Sequence, residues 1–166
     1  MPTRYQGTPS EIRALDCFIK LTRASETLVA ALRGPLARAG LTTAQLGVLE
    51  ALYHLGPMNE RLLGRKLLRS GGNITVVVDN LERRSLVGRQ RNPRDRRSIT
   101  VRLTPEGLRL IRRVFPGHAA RITALLAVLS PEEQAELGRL CRKLGRGAAE
   151  QAGTESAGSV PNLEKR

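Results

Sequence analysis

Apolar residues recur at helical spacing along most of the chain and change rhythm in one short region. Ile12, Leu15, Ile19, Leu28 and Leu32 share one helical face. Thr8-Pro9-Ser10-Glu11 opens that helix, with Thr8 as cap, Pro9 in the first turn and Glu11 reaching back, and Gly34-Pro35 is expected to end it. Thr42-Thr43-Ala44-Gln45 is a second capping box, for a helix that Gly56-Pro57 stops near His54. Asn59 caps a third helix, Glu60 to Leu68, and Arg69-Ser70-Gly71-Gly72 forms a turn. A fourth helix runs to about Arg84, with Ile74, Val77, Val78 and Leu81 inward.

The period then shortens. Leu86–Arg91 and Ile99–Leu103 are β-compatible runs flanking Asn92-Pro93-Arg94-Asp95-Arg96-Arg97, a turn by composition, so a β-hairpin is expected. Thr104-Pro105-Glu106-Gly107 starts the next helix, which Pro116-Gly117 should kink or break. Ser130-Pro131-Glu132-Glu133 is a third capping box, and its helix carries Leu137, Leu140 and Leu144 to about Gly145.

These elements predict a mainly α protein with a small β-hairpin wing. Residues 36–104 form a winged helix-turn-helix domain, residues 8–35 and 105–145 a helical dimerisation region, and residues 146–166 a flexible tail without periodicity. The first and last helices are apolar over more length than one small winged domain covers, which implies a partner surface. A two-fold dimer would set its two recognition helices about 34 Å apart, one turn of DNA.

Composition narrows the function. The 166 residues include 28 Lys+Arg and 15 Asp+Glu, a net charge of +13, which makes the chain a strong ligand for polyanions. Arginine runs high throughout, so the placement of charge matters more than its total. Residues 58–103 hold twelve cations against four acids, a net of +8, concentrated on the helix-turn-helix and the wing. No apolar run approaches the ~18 residues of a membrane span, and residues 1–10 lack a signal-like apolar stretch, so a cytoplasmic protein without membrane contact is expected. Two cysteines, Cys17 and Cys141, exclude a disulfide scaffold or a four-thiolate zinc site. His54 and His118 have no ligand-spaced partners, so no metal or other cofactor is expected.

On the fourth helix the outward residues are Gly72, Asn73, Thr75, Val76, Asp79 and Asn80. Asn73, Thr75 and Asn80 suit hydrogen bonds to base edges, and Val76 suits a thymine methyl. Ser70 and the Gly71-Gly72 amides sit where a helix start accepts phosphate, while Arg65, Lys66 and Arg69 suit backbone contacts. Arg94, Asp95, Arg96 and Arg97 sit at the wing tip, suited to the adjacent minor groove.

The runs Leu67–Thr75, Asp79–Val87, Asn92-Pro93-Arg94-Asp95-Arg96-Arg97 and Val101-Arg102-Leu103-Thr104-Pro105-Glu106-Gly107 resemble MarR-type transcriptional regulators, and the resemblance covers roughly Ser10 to Gly145. The Asp-Arg-Arg wing followed by Leu-Thr-x-x-Gly is specific in a way a helix-turn-helix alone is not. The resemblance implies a homodimer with interlocking terminal helices that binds double-stranded DNA at a pseudo-palindromic operator, usually as a repressor. It also implies that Asp95 pairs with Arg97 and holds it for the minor groove. A neighbouring carboxylate would offset in advance part of the entropy lost when that arginine is fixed.

Many members of the family bind small aromatic or lipophilic acids, and others sense oxidants through a cysteine near the start of the first helix. Cys17, in Leu15-Asp16-Cys17-Phe18, is therefore a candidate redox residue. The tyrosines that accompany the peroxide sensor are absent at Ala31 and Thr42-Thr43, and the first helix is more similar to the quinone- and phenol-responsive branch. A free cysteine usually packs as a small apolar residue, and that is the expectation for both thiols.

No glycine-rich phosphate loop, Gly-x-Ser-x-Gly elbow or His-Glu-x-x-His occurs, so no enzyme is expected. The reading is a dimeric repressor released by a small phenolic, aromatic or lipophilic effector. The alternatives are a thiol-based redox regulator acting through Cys17 and a nonspecific architectural or RNA-binding protein.

Overall fold

The computed structural model describes residues 5–67, 71–92 and 95–158; for residues 71, 92, 95–98 and 152–158 only the backbone is described. Arg69, Ser70 and Arg94 lie outside the described residues. The chain divides into two compact units at Ile122/Thr123.

The first unit contains helices α1 (Pro9–Arg38), α2 (Thr43–Leu55), α3 (Glu60–Leu67), α4 (Gly71–Arg83) and most of α5 (Pro105–Leu126), with strands β1 (Met58–Asn59), β2 (Val87–Asn92) and β3 (Asp95–Leu103). Its caps form as the sequence predicts. The Thr8–Glu11 and Thr42–Gln45 boxes are both reciprocal. Asn59 Oδ1 accepts from the Leu62 amide at 2.8 Å, and Thr104 Oγ1 accepts from the Gly107 amide at 3.0 Å. One core gathers Leu36 and Leu41, Leu46, Val48, Leu49 and Leu52 of α2, Leu63 of α3, the inner face of α4, Leu86, Val87 and Val101, and Leu110 and Ile111 of α5. Each element buries one stripe there, and no single element could bury it alone.

Helix α1 does not stop at Gly34-Pro35. Pro35 lies inside it, and the helix closes at Gly40, whose φ of +68° takes the left-handed conformation. The Gly40 amide donates to Ala37 O and the Leu41 amide to Leu36 O, both at 2.9 Å, closing the helix with its carbonyls satisfied. The true stop is the glycine whose following residue, Leu41, is buried with Leu36 in the core.

Helix α5 likewise passes through Pro116-Gly117 without a break. Proline removes one backbone hydrogen bond, and the core contacts of Leu110 and Ile111 on the preceding turns hold the helix in place.

The sheet has three antiparallel strands in the order β1-β3-β2. Strand β2 is shifted by one residue from its β-compatible run, and β3 is longer than its run suggests. β2 and β3 pair from Val87↔Leu103 to Asn92↔Asp95, so Asn92 and residues 95–97, expected in the turn, belong to the strands. The two-residue strand β1, too short to register as a pattern, pairs Met58 with Val101 and Asn59 with Thr100.

The second unit holds the end of α5 and helix α6 (Pro131–Gly158). Ser130 and Glu133 form the expected capping box, at 2.8 Å and 3.3 Å. The helix does not end near Gly145, as expected, but continues to Gly158, so residues 146–158 are helical. Ala148, Ala149, Glu150 and Gln151 are strong helix formers, and neither Gly145 nor Gly147 adopts a positive φ that would end the helix.

Candidate nucleic-acid interface

The inner face of α4 is fully committed: Ile74, Val78 and Leu81 are wholly buried and Val77 nearly so. The opposite face carries Gly72, Asn73, Thr75 and Val76, all exposed, with Asp79 and Asn80 half-buried at its edge. Val76 is 58% exposed, an apolar group held in water on a polar face. On α3, which precedes it, Arg65 and Lys66 are exposed while Leu63 and Gly64 are buried. The structure thus brings the four predicted base-reading residues onto one helix and places Gly71-Gly72 at its start. Asn80 is partly engaged within the helix: its Nδ2 donates to Val76 O at 2.9 Å, and its Oδ1 accepts from Arg83.

The junction between α4 and the wing is tightly built. Ser85 adopts a positive φ of 55°, and the Ser85 and Leu86 amides donate to Glu82 O and Leu81 O at 2.8 and 3.0 Å. Thr104 fastens this turn to α5, its hydroxyl donating to Ser85 O at 2.6 Å and its amide to Leu86 O at 3.2 Å. A Cβ on Gly107 would lie 1.9 Å from that same Leu86 oxygen. The Leu-Thr-x-x-Gly run therefore locks the wing base to α5: the threonine binds the turn, and the glycine leaves room for its carbonyl.

Sequence reasoning missed the role of Arg89 on β2. Its guanidinium lies 2.8 Å from Glu60 Oε1, 2.6 Å from Asp79 Oδ1 and 2.5 Å from Glu82 Oε2, tying the wing to both α3 and α4. The Arg89 amide also donates to Glu82 Oε1 at 3.0 Å. Desolvation opposes the charge on Arg89, but hydrogen bonds to Asp79, Glu60 and Glu82, with attraction to Glu60, outweigh it and hold the guanidinium protonated well above its ordinary range. Arg84, though exposed, is also engaged within the protein, donating to Gly40 O at 2.7 Å just past the end of α1. Two of the twelve cations counted toward a polyanion surface are therefore structural. The available signal was the acids: three of only four in this basic span converge on one arginine.

At the wing tip, Asp95, Arg96 and Arg97 occupy the start of β3, and the expected Asp95–Arg97 pairing lies outside the described residues. Cys17 on α1 and Cys141 on α6 are both exposed rather than packed as core residues. His54 sits at the end of α2 with Tyr53 and Phe115, ring centroids 4.8 Å from each. Among the described residues no group of three His, Cys, Asp or Glu could hold a metal ion, and no helix is long and apolar enough to cross a membrane.

A recognition helix with an exposed mixed face, preceded by a cationic helix and flanked by a β-hairpin, defines a winged-helix DNA-binding protein. The sequence profile of the MarR family matches residues 41–99. The HTH-type transcriptional regulator MhqR of Bacillus subtilis (strain 168) is 35% identical over 136 residues, covering 82% of this chain and 94% of MhqR. The chain belongs to the MarR family and is a transcriptional regulator rather than an enzyme.

Solved structures agree with this assignment. Bordetella bronchiseptica BpsR, whose DNA binding is regulated by 6-hydroxynicotinic acid, superposes with a TM-score of 0.71 at 29% identity over 78% of this chain and 98% of BpsR. Streptomyces coelicolor Sco3205, a MarR family regulator in complex with DNA, superposes with a TM-score of 0.76 at 25% identity over 87% of this chain and 91% of Sco3205.

Proposed function

We propose that the protein is a homodimeric repressor that occupies a pseudo-palindromic operator and leaves it when a small aromatic acid binds. The exposed outer face of α4, where Val76 stands in water beside Asn73 and Thr75, carries the DNA half of this reading. Asn73, Thr75, Val76 and Asn80 read bases. Arg65, Lys66, Arg69, Ser70 and the Gly71-Gly72 amides hold phosphates, and Arg94, Arg96 and Arg97 enter the minor groove, with Asp95 holding Arg97 in place. The DNA complex of Sco3205 supports the same mode.

Dimerisation is supported by apolar faces that each unit leaves in water: Ile12 and Phe18 on α1, and Leu137, Leu140 and Leu144 on α6. Phe18 alone is 65% exposed, a costly arrangement for a chain without a partner.

The effector half rests on a cavity of about 390 Å³ within the first unit, between the end of α1 and α5. Leu32, Leu36 and Val114 supply apolar walls, and Arg38, Arg113 and Arg121 are cationic, with no acid in the lining. That volume suits a small ring, and guanidinium groups suit a carboxylate. The effect of 6-hydroxynicotinic acid on BpsR points to the same ligand chemistry. Binding there would shift the population between dimers whose reading heads match DNA and dimers whose heads do not.

Genomic footprinting of the purified protein with and without 6-hydroxynicotinic acid and benzoate tests the reading. The expected result is a small number of palindromic sites, half-sites about one helical turn apart, protected in excess random DNA at 200 mM salt and vacated with either acid. Protection without sequence preference, lost at that salt, identifies a nonspecific architectural protein instead.

A further inference from the structure

Val76 lies in the amino-terminal half of α4, the half of a recognition helix that meets base edges. Its neighbours anchor it from within, since Ile74 and Val78 are wholly buried and Val77 nearly so. A valine in a helix holds one dominant rotamer, so its two methyl groups stand at fixed places on the outer face. The residue is nevertheless 58% exposed. The polar groups one turn on are already engaged within the protein. Asp79 Oδ1 lies 2.6 Å from the Arg89 guanidinium, while Asn80 Nδ2 donates to Val76 O at 2.9 Å and Asn80 Oδ1 accepts from Arg83. At and beyond Val76, α4 therefore offers a base hydrocarbon before hydrogen-bonding groups.

In the major groove the apolar feature of a base pair is the C5 methyl group of thymine. Valine has neither donor nor acceptor, so it does not distinguish the O4 of thymine from the N4 amino group of cytosine. It senses only whether a methyl group stands at C5, and 5-methylcytosine carries one at the same place. We infer that Val76 is a specificity-determining residue for the C5 methyl group itself, so that a cytosine at the contacted position becomes a match once it is methylated at C5. Methylation of that cytosine then tightens binding, and the protein responds to a modification of its DNA. The inference rests on the reading that this face of α4 meets base edges in the major groove.

Taking one methyl group out of water against another apolar group changes affinity by about fourfold. Serine at position 76 removes both valine methyl groups, and because the residue is exposed the core stays intact.

Selection from a randomised pool by the full-length protein first supplies its operator. Duplexes of that site then carry thymine, uracil, cytosine or 5-methylcytosine at each pyrimidine in turn, paired with adenine or guanine as each requires. They compete for wild type, Val76→Ser and Asn73→Ala. At one position per half-site, wild type is expected to favour thymine over uracil and 5-methylcytosine over cytosine, each by about fourfold. Val76→Ser should abolish both preferences there, and Asn73→Ala should change base preference at another position while both methyl preferences remain.

A methyl preference that survives in Val76→Ser belongs to DNA shape and overturns the inference. So does a wild type that favours thymine over uracil but not 5-methylcytosine over cytosine, or one indifferent to methyl groups at every position. If Val76→Ser or Asn73→Ala still alters base preference in that case, the reading of the α4 face stands and only the inference falls. If neither variant changes any position, that reading fails as well.

Discussion

Gly107→Ala adds one methyl group where α5 crosses the base of the wing. The new Cβ would lie 1.9 Å from the Leu86 carbonyl oxygen, 2.9 Å from its carbon and 3.3 Å from Leu103 Cδ2. A carbon and a carbonyl oxygen ordinarily approach to about 3.3 Å, so helix and turn must separate by more than about 1 Å. The obstacle is backbone and cannot rotate aside. Moving it strains the Thr104 amide bond to Leu86 O, 3.2 Å long, and disturbs the turn that Ser85 holds at positive φ.

Overpacking of this kind costs about 1–3 kcal/mol, and the severity of the clash puts it at the upper end. The lost hydrogen bond adds about 1 kcal/mol, and the better helix propensity of alanine returns about 1 kcal/mol. The net expectation is a destabilisation of about 2–3 kcal/mol, or a midpoint lowered by roughly 4–12 °C for a chain of this size. Urea and thermal unfolding at one fixed protein concentration measure it, since a dimer's midpoint depends on concentration. Gly138→Ala on α6, where nothing lies within 4 Å of the added carbon, is the control and should be neutral or stabilising. A Gly107→Ala protein as stable as wild type refutes the close approach as the reason for glycine.

The remaining expectations concern the wing and the switch. Arg89→Met leaves Glu60, Asp79 and Glu82 facing one another, and a cost of about 2 kcal/mol in stability is expected, below that of a fully buried pair because the side chain keeps 22% of its exposure. Unchanged urea stability would show that the cluster is not an anchor. Arg97→Ala should weaken operator binding by at least about 1 kcal/mol while sedimentation still shows the dimer, and undiminished affinity would remove the wing from the mechanism. Release of DNA by an aromatic acid should persist in Cys17→Ser; its loss would make that thiol part of the switch.

Much of this molecule is legible locally. Thr8, Thr42, Asn59 and Ser130 each start a helix because a short polar side chain meets an amide a few residues on, and nothing distant is needed. The inward face of α4 follows from spacing alone, and its outward face follows by subtraction. Helix ends were less legible. Gly34, Pro35, Pro116 and Gly145 all carry the residue types that break helices, yet the helices run through them. A breaker lowers helix stability by a few kcal/mol at most, which neighbouring turns that pack or propagate well can outweigh.

Local sequence therefore determined the helical starts, the buried stripes, the basic character of the reading region and the family to which the chain belongs. Tertiary structure alone decided which charges face outward. Glu60, Asp79, Glu82 and Arg89 are separated along the chain by up to 29 residues, and only the folded wing gathers them. Periodicity records which side of an element is apolar, because burial acts on each residue separately. An ion cluster, or a glycine beneath another segment's carbonyl, depends on where two distant backbones meet, and that information exists only once the chain has closed on itself.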